Sequence, residues 1–208
     1  MLPLLAVLAC GTGSSSSRLA DLTNPFLGPD HSAWLIGPIS VIASPEETKA
    51  YLGLSDDRAA AAFIEQFWQR RNPTRGPGNP VLQAFEERGA AADHLFSEAG
   101  RLGRQSDRGT IYVLYGRPNK TGFEVPPSPN MSAIEVWSYS KDTPEGLDGK
   151  RPSLFYRFIK RGETTVTYVP HRAAPRVFPG ASQSQELAFP PAAPPSSTDA
   201  VPPPPPNR

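Results

Sequence analysis

The chain has little of what usually announces chemistry. One cysteine among 208 residues excludes an intramolecular disulfide and, with it, a disulfide-stapled miniprotein. The three histidines, His31, His94 and His171, stand far apart with no H-x-x-x-H or Cys/His spacing, so no metal centre is expected. No P-loop, dinucleotide-binding or G-x-S-x-G fingerprint occurs, and no cofactor is expected. Neither sign of charge dominates: 21 basic and 20 acidic side chains leave a net +1, which provides no field for nucleic acid. No apolar run reaches the roughly 18 residues of a membrane span.

Proline is what the chain has in excess. There are 26, and 12 of them fall in residues 170–208, where Pro190-Pro191, Pro194-Pro195 and the run 202–206 alternate with Ser, Ala and Gln. Proline removes backbone donors and favours polyproline II, so this stretch reads as a disordered tail. It serves as a solvated spacer or as a ligand for an aromatic groove. What remains, residues 31–169, has the usual size of one domain.

The other end carries a localisation signal. Residues 2–9 form a short apolar run, of signal-peptide and not membrane-span length. It ends in Val7-Leu8-Ala9-Cys10-Gly11, which resembles a bacterial lipobox, in which the cysteine thiol takes a diacylglycerol and becomes the mature N-terminus. Residues 1–10 then read as a lipoprotein signal and residues 11–30 as a flexible tether, Ser-rich at its start. Met1-Leu2-Pro3 lacks the basic stretch that opens a signal peptide. Two readings stay open at this point: a start codon further upstream, or a chance apolar start with a free Cys10.

Between the ends, helices come first. Ser44-Pro45-Glu46-Glu47 is a capping box with proline at the first helical position, and that helix should end near Leu52-Gly53. Ser55 is expected to cap a longer helix whose stripe Ala60, Phe63, Ile64, Phe67 and Trp68 has the spacing of a buried face. Asn72-Pro73 stops it and Asn79-Pro80 starts another. On that third helix Leu82, Phe85, Gly89, Ala92 and Phe96 share a side, the two small residues allowing close approach by another element, with Gly100 as a cap near its end. After Asp107-Arg108-Gly109 the apolar period becomes two. Residues 110–115 (TIYVLY) read as a central strand, 134–139 as a second, and 153–160 with 163–169 as a hairpin turning at Arg161-Gly162. Helices followed by strands predict an α+β fold, N-terminal helices packed on a small antiparallel meander of about four strands.

Five blocks in this order carry a family likeness: Phe63-Ile64-Glu65-Gln66-Phe67-Trp68-Gln69-Arg70-Arg71-Asn72-Pro73, residues 85–88, Gly103-Arg104-Gln105-Ser106-Asp107-Arg108-Gly109, Ile111-Tyr112-Val113-Leu114-Tyr115-Gly116-Arg117-Pro118, and Glu135-Val136-Trp137-Ser138-Tyr139. Together they resemble the GWxTD domain, a bacterial domain common in exported proteins and lipoproteins whose molecular function is not established. Where that family's pattern has Gly-Trp-x-Thr-Asp, this chain has Arg104 for the Trp and Ser106 for the Thr. The resemblance brings no catalytic residues.

The polar candidates are Arg70, Arg71, Asp107 and Arg108, with Trp68 and Trp137 beside them. One reading pairs Asp107 with Arg70 or Arg71, or with backbone amides, and pins the helices to the first strand. The other makes them a small ligand site. Arg101, Arg104, Arg108, Arg117 and Lys120 cluster nearby, as a solvated face or as a stripe for phosphate or an anionic envelope glycan. The sequence therefore suggests a bacterial envelope protein, at the outer membrane facing the periplasm or at the surface. It would be anchored through Cys10, with a non-catalytic domain that binds or assembles with an envelope protein or polymer. The alternative is a hydrolase-like envelope enzyme using Asp107 and its arginines.

Overall fold

The computed structural model describes residues 19–74 and 76–170; Cys10, the apolar start and the proline-rich tail lie outside them. Most helices begin where a side chain accepts backbone amides. The Ser44 hydroxyl accepts from the Glu47 amide (3.2 Å) and the Glu47 carboxylate accepts from the Ser44 amide (3.0 Å). This reciprocal box starts α3 (Pro45–Leu52), after the single turns α1 (Pro29–Ser32) and α2 (Ile39–Ile42). Asp56, one residue beyond the expected Ser55, caps α4 (Asp57–Arg70) by accepting from the Ala59 amide at 2.8 Å. The Asn79 side-chain oxygen caps α5 (Pro80–Phe96), accepting from Val81 and Leu82. Its Nδ2 donates to the Trp68 carbonyl at 2.7 Å and ties the start of α5 to the end of α4.

These helices bury a chain of rings. Trp34 meets Tyr51 and Phe67 at centroid distances of 4.7 and 5.0 Å, Phe67 meets Trp68 at 5.1 Å, and Trp68 meets Phe85 at 4.8 Å. Eleven positions further along α5, about 16 Å at 1.5 Å per residue, Phe96 begins a second group. It meets Trp137 at 5.4 Å, and Trp137 meets Phe158 at 5.0 Å. Stacked and edge-to-face rings of this kind contribute beyond the area they bury.

The strand expected over residues 110–115 is a helix. Ser106 caps α6 (Asp107–Tyr115) by accepting from the Gly109 amide at 3.0 Å, and Gly116 at φ 77° ends it. The run is apolar on both sides because the helix is enclosed. Val113 and Leu114 are buried, and Ile111, Tyr112 and Tyr115 pack on the core. A two-sided apolar run suits a buried strand and a buried helix alike, and here the cap decides.

The sheet has four strands all the same, because one was missed. β1 (Lys120–Glu124), β2 (Ile134–Ser138), β3 (Phe155–Arg161) and β4 (Thr164–Thr167) form an antiparallel meander in chain order. The fold is α+β, as expected. The β3–β4 turn falls at Gly162, φ 60°. Register places Glu135 opposite Phe158 and Trp137 opposite Tyr156, so these residues share the face turned to the helices.

The expected tether over 11–30 is too long. Asn24 and Leu27 are buried, and the Asn24 Nδ2 donates to the carbonyls of Tyr51 (3.0 Å) and Leu54 (2.9 Å) at the end of α3. A buried polar side chain that satisfies one carbonyl in the last turn of α3 and one just past it belongs to the fold.

The α3–α4 contact closes on Glu47. Its carboxylate accepts from Arg71 Nη2 (2.6 Å) and Arg70 Nη2 (2.9 Å), while the Arg71 guanidinium lies 3.5 Å from the Phe67 ring centroid. The Arg71 hydrogen bond holds the Glu47 carboxyl at about 2, down from an ordinary 4.5. A lowered carboxyl pKa contributes stability that is full above the ordinary value and lost as pH falls towards the lowered one. Urea unfolding between pH 6 and 2.5 should therefore cost the native chain on the order of 2–3 kcal/mol more than Glu47→Gln. Parallel pH profiles would show the pair to be idle.

Candidate functional site

The segment between α5 and α6 holds the motif, and its glycines make that packing possible. A Cβ on Gly103 would overlap the Ala92 carbonyl of α5, and one on Gly109 would overlap the Gly103 carbonyl. Three backbones are thus in direct contact, which only residues without a side chain permit. The Ser106 hydroxyl donates to Gly103 O (2.7 Å) and accepts from the Gly109 amide, so one oxygen closes the turn and starts α6. The Gly103 amide donates to Ser97 Oγ at 3.0 Å.

With α6 started there, its first two side chains face the sheet. Asp107 Oδ2 accepts from the Thr167 amide at 2.6 Å. The Arg108 guanidinium bridges Glu98 and Glu135, each at 3.2 Å, and lies 5.3 Å from the Phe96 ring centroid. Glu98 also accepts from the Thr165 amide (2.8 Å), and Glu135 from Trp137 Nε1 (2.7 Å). The three charged side chains are 20, 12 and 10% exposed in the order Arg108, Glu98, Glu135. This is a closed, largely desolvated network with one buried donor, Arg108 Nε, left without a hydrogen bond.

A family model for the GWxTD domain matches residues 17–168. The chain belongs to the GWxTD domain family. No curated protein and no solved structure matches it.

The GWxTD motif can now be read position by position. Its glycine is Gly103, on the α5 backbone. Its Trp position holds Arg104, whose guanidinium carbon and two terminal nitrogens would stand 2.9–3.1 Å from a Cβ on Gly89, so the flat group lies on α5. Asp93 holds it there, accepting from Arg104 N and Nε, both at 2.8 Å. The Thr position is the Ser106 cap, and the Asp position is Asp107 on the sheet edge.

The polar residues singled out in the sequence divide between two places. Asp107, Arg108 and Trp137 meet at the motif, whereas Arg70 and Arg71 hold Glu47. Of the two structural partners expected for Asp107, Arg70 or Arg71 is not the one it has; it accepts from a backbone amide, that of Thr167. Trp68 stands apart from Trp137, on an open groove of about 570 Å³ between α4 and α5 that His31, Asn79, Leu82 and Glu86 also line. Among the described residues no cluster of His, Cys, Asp and Glu could hold a metal ion, and no helix is long and apolar enough to cross a membrane.

Sequence reasoning missed Glu98, Glu135, Asp93 and Arg88. Glu135 had a signal, since it sits two residues before Trp137 and therefore on the same, inward face. Arg88 secures the far end of α6 by donating to the carbonyls of Val113 (3.2 Å) and Leu114 (3.0 Å), as suits a cation at a helix C-terminus. Burial lowers its pKa, and burial raises those of the nearby phenols Tyr115 and Tyr139. Both phenols are engaged as donors, Tyr115 to Asp148 (2.9 Å) and Tyr139 to Gly116 O (2.8 Å).

Two substitutions test this reading. Arg108→Met leaves Glu98 and Glu135 buried without their cation and should cost about 3–5 kcal/mol in chemical denaturation. Gly109→Ala should cost about as much as a severe core change, over 4 kcal/mol, or prevent folding; a near-native melting temperature for either would refute the packing described.

Proposed function

We propose that this chain is a lipid-anchored protein of the bacterial envelope, held through Cys10, whose GWxTD domain binds or assembles with an envelope protein or polymer and performs no chemistry. One observation carries the second half. The charged groups of the motif are spent on the fold: Asp107 on the Thr167 amide, and Arg108 on Glu98 and Glu135. A general acid or base must reach a proton on a bound substrate. These groups instead reach the sheet, and the hydrolase-like alternative built on Asp107 gains nothing from that geometry.

The anchoring half rests on the lipobox-like Val7-Leu8-Ala9-Cys10-Gly11 and on the Ser-rich stretch that follows it. Two or three acyl chains at about 0.8 kcal/mol per buried CH₂ hold a protein to a membrane where one chain does not. Within the described residues the first buried one is Asn24.

Metabolic labelling with an alkyne palmitate analogue in a bacterial host should tag the chain and place it in the detergent phase. Cys10→Ser should abolish both without changing the melting temperature. An unlabelled, water-soluble native product would overturn the anchoring.

A further inference from the structure

The two edges of the sheet are treated differently. The Tyr139 amide donates to Leu154 O towards β3, and the Tyr168 amide to Arg157 O from the β4 side. From these two bonds the alternation of an antiparallel ladder fixes where every strand peptide points. Thr165 and Thr167 turn outward on β4, and their amides are taken by Glu98 and Asp107. On β1 the outward residues are Thr121 and Phe123, and neither amide has a hydrogen-bond partner among the described residues. An edge of this kind, with no proline, is a template for another strand.

The sequence of β1 says which strand fits. In Lys120-Thr121-Gly122-Phe123-Glu124 the charges are opposite and equidistant from the central glycine. Paired antiparallel with itself about a two-fold axis through Gly122, the strand sets Lys120 against the second copy's Glu124, and the reverse. Thr121 then faces the second copy's Phe123 as a hydrogen-bonded pair, twice, which closes four hydrogen bonds from the outward peptides. Opposite charges directly across a ladder are favourable and like charges are not. Glu124 is held by the fork of Arg157 on β3 at 2.8 and 2.9 Å, so its carboxylate has a defined place on that face of the sheet. Phe123, 41% exposed, gains cover from the pairing. At Gly122 a Cβ would meet nothing within 4 Å, so a cysteine can be placed there without displacing a neighbour.

We propose that two copies of this chain associate through β1, joining their sheets into one of eight strands by isologous pairing centred on Gly122. The test uses the full chain carrying Cys10→Ser, so that no lipid or native thiol contributes. Sedimentation velocity should show a concentration-dependent dimer. Lys120→Glu and Glu124→Lys, each checked for native circular dichroism, should raise its dissociation constant tenfold or more, since each sets like charges across both ends of the ladder. An equimolar mixture of the two variants should restore the dimer, because their edges are complementary again. Gly122→Cys should form an intermolecular disulfide under mild oxidation, because facing residues of a non-hydrogen-bonded pair, about 4.5 Å apart at Cα, lie within disulfide reach. A chain that stays monomeric up to about 0.5 mM, where even a weak complex of millimolar affinity would be partly formed, would overturn the proposal. So would a dimer indifferent to both charge variants.

Discussion

Everything in this domain depends on the contact of three backbones where Gly109 meets Gly103 and Gly103 meets α5 at Ala92. The contact fixes the distance between α5 and α6 at a value no side chain would allow. It also sets where α6 begins, since the Ser106 hydroxyl that caps Gly109 is bonded at the same time to the Gly103 carbonyl. With origin and spacing set, the first two side chains of α6 must project at the sheet. Asp107 and Arg108 reach β4 and β2 because the glycines put them there.

What those side chains do is register, more than adhesion. A buried ion pair recovers much of its Coulombic gain only to offset the loss of hydration, so Arg108 between two carboxylates is a weak source of net stability. It is a strong source of selectivity. Glu135 can face the helices only if β2 keeps the phase that also turns Trp137 and Tyr139 inward, because a slip of one residue moves all three to the opposite face. Glu98 and Asp107 take the amides of Thr165 and Thr167, which fixes β4 against the helical layer and closes that edge to other strands. The bonds join residues 60 and 67 positions apart, so the motif's Asp107 and Glu98 just before the motif tie the last strand to the helical layer.

The parts of this fold that were legible in the sequence are those whose cause is local. Ser44 with Glu47, Asn79 with Pro80, the stripe from Ala60 to Trp68 and the turn at Gly162 each depend on neighbours within a few residues, and each stands where the sequence puts it. The segment 110–115 was misread because its apolar residues line both sides, which periodicity cannot assign. The deciding atom, Ser106 Oγ, lies just before it. β1 was passed over for the opposite reason: an edge strand with polar ends and a glycine at its centre buries too little to show an apolar pattern. The motif's role was the least legible. Asp107 and Arg108 could be recognised as notable, but their partners come from three other segments, and no spacing in the sequence announces Thr167 or Glu98.

Arg104 shows how this chain fills the motif's most conspicuous position. The family pattern has a tryptophan at this position, and this chain keeps the motif's glycine, its cap and its aspartate while changing the most conspicuous residue. The position asks for a flat group that lies on Gly89 and covers the α5 backbone. A guanidinium can do so only if its charge is met, and Asp93 meets it with two 2.8 Å bonds, one to the side chain and one to the backbone of the same arginine. A neutral indole would have no use for that carboxylate. Arg104 and Asp93 are therefore one unit, in which a planar guanidinium lies against the α5 backbone at Gly89 with its charge met. In this chain the position covers a helix, and Asp93 is the counter-charge that lets a cation do so.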